Sequence, residues 1–415
     1  MTEYEDINSW DDLDNIDMNI LRGIYAYGYE KPSPIQRKAI RPVIAGRDVV
    51  GQAQSGTGKT ATFTIGALSK IDLTSNETQV LIMSPTRELC TQTAKVVESI
   101  GGMMTGLRIQ TAFGGRSEVR SEGRNSEGRS SDNDWFNRSD KRSDDKRSDE
   151  KRINETGKPH IICGCPGRIH DMLNRNTLTA KYLKLVVIDE ADEMLSDGFK
   201  EQVYNIFKFF HDELQIAIFS ATMPENILAL ANKFMRDPVR ICVKAEQLTL
   251  EGISQFYVAL EDDHQKYAVL KDLFSHLSVS QTIIYSNSVK RVADLYDAML
   301  HDEFPVGCIH SSMDKEARDA AISDFRNGKT RVLISSDVTA RGIDVQQVSV
   351  VVNFDVPRSV HTYLHRIGRS GRWGRKGVGI NFITRRDADQ IREIEKYYNC
   401  EIREMPENIE AFMKN

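Results

Sequence analysis

The residues best suited to chemistry stand at 53–60, reading Ala53-Gln54-Ser55-Gly56-Thr57-Gly58-Lys59-Thr60. Their spacing fits a phosphate-binding loop at every fixed position except the first, where Ala53 replaces glycine. Glycines in such a loop let backbone N–H groups approach phosphate oxygens at the positive end of a helix dipole. There Lys59 reaches the β- and γ-phosphates of ATP and Thr60 holds Mg2+. The bland alternative is a glycine-rich turn with no ligand. A strand-like run before the loop and a helical pattern at 61–68 favour the phosphate reading. A second group, Asp189-Glu190-Ala191-Asp192, ends the apolar run LKLVVI. Alone, such a tetrad is usually the solvated start of a helix. Paired with a phosphate loop, Asp189 is expected to bind Mg2+ through water, and Glu190 to orient and deprotonate the attacking water. Ser220-Ala221-Thr222 closes another apolar run and by itself is an ordinary strand-end turn. Further on, 365–372 reads HRIGRSGR. It is either a solvated basic face or, since Arg366 and Arg369 share one side if helical, a pair of arginine fingers for the γ-phosphate.

Positioning these groups takes a repeated strand–helix alternation. Strands are expected at 47–51, 79–84, 107–113, 160–163, 185–189, 215–220 and 239–243. A second series follows at 254–260, 281–286, 306–310, 331–336, 348–355 and 377–383, with helical patterns such as 264–277 and 289–302 between strands. Interleaving of this kind implies parallel sheets covered by helices on both faces, an α/β architecture formed twice. The expected domains are 1–243 and 253–415, joined by a polar linker at 244–252. One segment, 116–152, has almost no aliphatic residues and carries imperfect repeats such as SEGRN, SEGRS, RSDK and RSDEK. Its composition cannot bury enough surface to offset ordering entropy, so a disordered charged insertion is expected.

Composition narrows the function classes. The 415 residues carry a net charge of −5, so any nucleic-acid surface must be a local basic stripe and not a global excess. Six cysteines are scattered without a second pair at zinc spacing, which suggests reduced thiols. The acidic segment 1–17 lacks the apolar run of a signal peptide, and no stretch has membrane-spanning length.

Taken in order, these motifs resemble those of the DEAD-box RNA helicases over nearly the whole chain. That resemblance implies two RecA-like domains, ATP and Mg2+ as cofactors, and sequence-tolerant binding of single-stranded RNA. Gly28-Tyr-Glu-Lys-Pro-Ser-Pro-Ile-Gln36 matches the family's adenine-reading motif. By resemblance Gln36 hydrogen-bonds adenine, supported by Tyr29 and the upstream aromatic Trp10, while Gly342 and Asp344 contact ATP, Asp344 at the ribose. RNA contacts are implied for Pro85, Thr86, Arg87, Gly114, Gly115, Pro166, Gly167, Arg168, Asn287, Arg318 and Ser336. Departures stand in these motifs: Cys90 where alanine is usual, Cys165 and Ser336 where threonine is usual, and Lys315 where glutamine is usual. Contacts to phosphate and ribose make the expected binding salt-dependent. Longer stretches such as DEADEMLSDGFKEQ and ARGIDVQQVS are similar to the translation-initiation branch of the family. This implies a monomer acting in the cytoplasm on mRNA 5′ regions, with an initiation scaffold and a cap-binding partner. The alternative is a nuclear RNA clamp of the exon-junction kind with little unwinding. In either case ATP and RNA are expected to draw the two domains closed.

Overall fold

The protein is described here by a computed structural model covering residues 4–14, 16–53, 56–114, 157–195, 199–242, 253–276, 281–337, 348–370 and 377–406. The expected insertion at 116–152 and linker at 244–252 lie outside the described residues, as do Gln54, Ser55, Gly115, Gly342 and Asp344. The chain divides into two compact units, which meet in sequence at Cys242 and Val243.

In the first unit the strands are β1 (Val49–Gln52), β2 (Val80–Met83), β3 (Ile109–Ala112), β4 (Ile161–Gly164), β5 (Leu185–Ile188), β6 (Gln215–Ser220) and β7 (Val239–Cys242). They form one sheet in the order β3-β4-β2-β5-β6-β1-β7, with every pairing parallel. β2, β4, β5 and β6 are buried along their full length, as strands covered by helices on both faces must be. Their continuous aliphatic runs, VLIM and LVVI, follow from that burial and not from alternation.

The second unit repeats the plan with β8 (Ile253–Ala259), β9 (Thr282–Tyr285), β10 (Val306–Ile309), β11 (Val332–Ser335), β12 (Val350–Asn353), β13 (Gly377–Ile383) and β14 (Arg403–Glu404). The order is β10-β11-β9-β12-β13-β8-β14, again parallel throughout. Two parallel sheets, each flanked by helices, make the tandem RecA-like α/β architecture expected from sequence. All thirteen expected strands are present, with ends shifted by no more than two residues. β14 was not foreseen, because a two-residue exposed strand carries no periodicity.

Helix ends are set by local chemistry. Thr86 caps the Arg87–Ile100 helix by accepting from Leu89 N–H at 3.3 Å. Pro34 stands at the first position of the Pro34–Ile44 helix, where its missing N–H has no consequence. In parallel sheets all strands point one way, so the loops that leave their C-terminal ends share one edge. That edge of the first sheet carries the chemistry.

Candidate functional site

β5, β6 and β1 are neighbours, with Ile188 opposite Ile218 and Gln52 opposite Ser220. The segments that follow them, 189–192, 220–222 and 53–60, therefore emerge side by side. Gly56 and Gly58 have φ of 83° and 97°, in the left-handed region that side chains resist. Gly58 is the N-cap of the Lys59–Leu68 helix, so the loop delivers a ten-residue helix N-terminus. A Cβ on Gly58 would also lie 2.4 Å from Gln36 Nε2, so both backbone and packing require glycine there.

Gln36 is buried and bonded on both sides of its amide. Its Oε1 accepts from Ser33 N–H at 2.7 Å, as the third residue of a helix-capping box. Its Nε2 lies 3.4 Å from the Gly58 carbonyl, a long contact onto the phosphate loop. The residue expected to read adenine thus grips the loop directly. Trp10, expected to support adenine, packs inside the first unit. Its side chain is fully buried, its indole N–H donates to the Tyr29 carbonyl at 3.0 Å, and no ring face is open for stacking. It holds the Tyr29 loop from behind. Tyr29 is half-buried against Tyr27, their ring centroids 4.8 Å apart, and burial pushes its hydroxyl up.

Lys59 is 5% exposed, and its ammonium has no hydrogen-bond partner among the described residues. It faces the Glu190 carboxylate, whose Oε2 lies 3.7 Å away. Glu190 is itself buried and holds φ 50°, ψ 53°, a left-handed backbone that costs a non-glycine residue about 1 kcal/mol or more. Burial and then the Glu190 charge push the Asp189 carboxyl up to about 7, with Lys59 pulling the other way. Asp189 Oδ1 accepts from Glu190 N–H at 3.0 Å. Ser220 and Thr222 acquire a role that sequence could not assign alone. Asp192 N–H donates to Ser220 Oγ at 3.2 Å, and Thr222 Oγ1 donates to Asp192 Oδ2 at 2.7 Å. Ala53 is buried, and its N–H donates to the Ser220 carbonyl at 3.0 Å. Thr57 and Thr60 stay half-buried at the loop.

The other half of the same edge gathers the expected RNA contacts, because β3, β4 and β2 are also neighbours. Pro85, Thr86 and Arg87 follow β2, Gly114 follows β3, and Pro166, Gly167 and Arg168 follow β4. Gly114 and Gly167 are exposed, Arg87 and Arg168 half-buried. Arg168 is paired with Asp171 at 2.8 Å, and the Thr86 hydroxyl serves its helix cap.

In the second unit Arg366, expected to act as a finger, is held within its own unit. It is fully buried and donates to Asp337 at 2.5 Å, Asn353 at 3.3 Å, the Asp355 carbonyl at 2.7 Å and Asn287 at 2.7 Å. With those donors committed, it is a positioning residue that ties the ends of β9 and β12 together. Asn287 is correspondingly engaged, with Nδ2 donating to the Val356 carbonyl at 2.8 Å. Asp355, missed in the sequence, accepts from Ser286 Oγ and Asn287 N–H on one oxygen and faces Lys266 and Arg291 on the other. A carboxylate two residues past an apolar strand is a faint signal, and only the cations brought to it by folding disclose its role. Arg369 is buried, its Nε donating to the His365 carbonyl at 3.2 Å. Ser336 is buried and Arg318 half-buried on the Lys315–Arg326 helix.

Two family models match the chain: DEAD/DEAH box helicase over 33–230 and Helicase conserved C-terminal domain over 265–374. Eukaryotic initiation factor 4A of Caenorhabditis elegans is 46% identical over 403 residues, covering 97% of this chain and 92% of that protein. ATP-dependent RNA helicase eIF4A of Chaetomium globosum is 47% identical over 405 residues, 98% of this chain and 94% of that one. The chain belongs to the DEAD-box RNA helicase family. Saccharomyces cerevisiae Dbp5, solved with RNA and ADP BeF3, has the same fold at TM-score 0.82 and 29% identity, covering 98% of this chain and 97% of that one. The protein is an ATP-dependent RNA helicase, an enzyme that couples nucleotide binding to RNA binding. Family membership implies ATP and Mg2+, and the residues fit them: a glycine cradle at a helix N-terminus, a buried ammonium without a hydrogen bond, and a buried carboxylate beside it.

Two outcomes are expected from these environments. Asp189 binds its proton more tightly folded than at its ordinary 3.8, so the native state holds more protons between there and about 7. Stability of Mg2+-free protein should therefore fall as pH rises through that window, and Asp189→Asn should flatten the decline. Thermal unfolding in a chelator at several pH values measures it, and an unchanged slope in the variant would place the titration elsewhere. Separately, Arg366→Ala should destabilise the second unit by about 2–4 kcal/mol, because buried acceptors lose their donor. Denaturant unfolding with wild-type stability would remove it from the positioning role.

Proposed function

We propose that Lys59 and Thr60, with the backbone of Gln54, Ser55, Gly56, Thr57 and Gly58, hold the triphosphate and its Mg2+, and that Asp189 supports the ion through water. Glu190 accepts the proton of the attacking water. The observation that carries this assignment is the buried Lys59 ammonium, which no hydrogen bond from the described residues satisfies, 3.7 Å from the Glu190 carboxylate. A buried cation in that condition calls for an anion with several acceptor oxygens, and a phosphate supplies them. Bound ATP supplies the phosphoryl group; the chain holds it, excludes bulk water at the sheet edge and places the base. Gln36 reads adenine with the second proton of its Nε2 and the second lone pair of its Oε1, beside its bonds to Gly58 and Ser33, and Tyr29 flanks it. Gly342 and Asp344 complete nucleotide contact. Arg369, once ATP and RNA are bound, stabilises charge on the transferring phosphate.

RNA is taken by the segments after β2, β3 and β4, namely Pro85, Thr86, Arg87, Gly114, Gly115, Pro166, Gly167 and Arg168, and in the second unit by Asn287, Arg318 and Ser336. Similarity to initiation factor 4A over nearly the whole chain supports a role in translation initiation in the cytoplasm, with a scaffold and a cap-binding partner.

Glu190→Gln should keep ATP affinity while slowing RNA-stimulated hydrolysis roughly 100-fold or more, since a positioned general base contributes about that. Turnover near wild type would take Glu190 out of the mechanism. The initiation role is tested by strand displacement and by pull-down of the full chain. Multiple-turnover unwinding and recovery of an initiation scaffold are expected. A long-lived RNA complex with little unwinding, and recovery of exon-junction proteins, would overturn the assignment in favour of a clamp.

A further inference from the structure

Cys90 and Cys165 lie 75 positions apart in the chain, yet their sulfur atoms are 3.6 Å from each other. It is the one sulfur–sulfur contact among the described residues, and both thiols are free. Cys165 is the N-cap of the Pro166–Asn174 helix, half-buried, with no capping hydrogen bond from its side chain. Cys90 sits in the first turn of the Arg87–Ile100 helix, fully buried, its Sγ 3.8 Å from the Ser84 carbonyl. Neither thiol has a part in the nucleotide chemistry.

We propose that Cys90 and Cys165 form a modification site at which a peroxide closes a reversible disulfide, locking together the two helix starts that carry Thr86–Arg87 and Pro166–Arg168. The present separation is van der Waals contact, and a disulfide needs about 2.05 Å, so closure asks for roughly 1.5 Å of combined movement. Cys165 is the accessible sulfur and reacts first. Its thiolate attacks one peroxide oxygen, the O–O bond breaks, and the departing hydroxide takes the thiol proton to leave as water. Cys165 is then a sulfenic acid. Cys90 sulfur attacks the Cys165 sulfur, the S–O bond breaks, and the hydroxyl leaves with the Cys90 proton as a second water. Two thiols and one peroxide become one disulfide and two waters, with two electrons passing from sulfur to oxygen. Burial, and then the neighbouring Cys165, push the Cys90 thiol up, consistent with its acting second. A disulfide at this place fixes the spacing of two segments that must adjust around a nucleic-acid backbone, so oxidation lowers RNA affinity. That consequence rests on the RNA assignment proposed above; the disulfide itself does not.

The test treats the full chain with hydrogen peroxide, blocks remaining thiols and digests it for mass spectrometry. A cross-linked peptide joining Cys90 and Cys165 is expected in wild type and not in Cys90→Ala. RNA affinity of the oxidised wild type should fall at least threefold and return with dithiothreitol, while Cys90→Ala keeps its affinity through the same treatment. Cys165→Ser serves as a second variant should Cys90→Ala unfold. Absence of the peptide, or an equal loss of affinity in the variants, overturns the proposal. A cross-link that leaves RNA affinity unchanged overturns its regulatory part. Failure of the reduced wild type to bind RNA overturns the RNA assignment, and the peptide still decides the disulfide.

Discussion

A single buried ammonium organises the first unit. Lys59 sits 3.7 Å from Glu190 with both side chains almost out of solvent, and among the described residues no hydrogen bond completes its shell. Burying two charges costs several kcal/mol each, and a pair at that distance offsets it only with good geometry and further hydrogen bonds. Those bonds are missing on the lysine. The fold therefore stores an unmet demand for oxygen acceptors at the end of a helix dipole. The surrounding structure keeps that demand from being met by collapse. Gly58 holds the loop in a left-handed turn against Gln36, and the strained Glu190 backbone aims its carboxylate at the lysine. Ser220 and Thr222 hold Asp192, fixing the acidic loop from the adjacent strand.

The strand order then divides one edge into two functions. β5, β6 and β1 end at the residues proposed for the nucleotide; β3, β4 and β2 end at the segments proposed for RNA. The boundary between the halves is the β2–β5 pair, where Met83 stands opposite Ile188 and Asp189 N–H donates to the Met83 carbonyl at 2.9 Å. Asp189 is thus bonded to the backbone two residues before Pro85. Parallel register makes this adjacency unavoidable, since strands running one way must release their loops on one side.

How much of this was legible in the sequence depended on whether a signal was local. The phosphate loop, the acidic tetrad and thirteen strands could be found because aliphatic runs and glycine spacing act within a few residues. Long-range choices were not legible. Ser33-Pro-Ile-Gln36 contains a capping box that a reading of Gln36 as adenine contact alone overlooks. Trp10 is as aromatic in the core as at a ligand, and only burial separates the two. The Cys90–Cys165 contact joins neighbouring strands' loops across 75 positions, which no spacing rule anticipates. Arg366 and Arg369 had looked equivalent at three-residue spacing. Both are buried, Arg366 inside the Val360–Ile367 helix and Arg369 two residues past its end, but four acceptors from three segments of the chain converge on Arg366.

The two sheets show why that distinction has functional weight. Both present polar groups at the C-terminal ends of parallel strands, and both bury charge there. In the second unit Asp355 is met by Ser286, Asn287, Lys266 and Arg291, and Arg366 by Asp337, Asn287 and Asn353. Every one of those interactions is supplied by the unit itself, so the buried charges of Arg366 and Asp355 need no ligand to balance them. In the first unit the same kind of edge leaves Lys59 without a hydrogen bond. One topology thus yields a self-satisfied network and an anion-seeking one, and the difference is whether folding itself brings a partner to the buried cation. A buried arginine with its donors matched reports structure; a buried lysine with none reports a site.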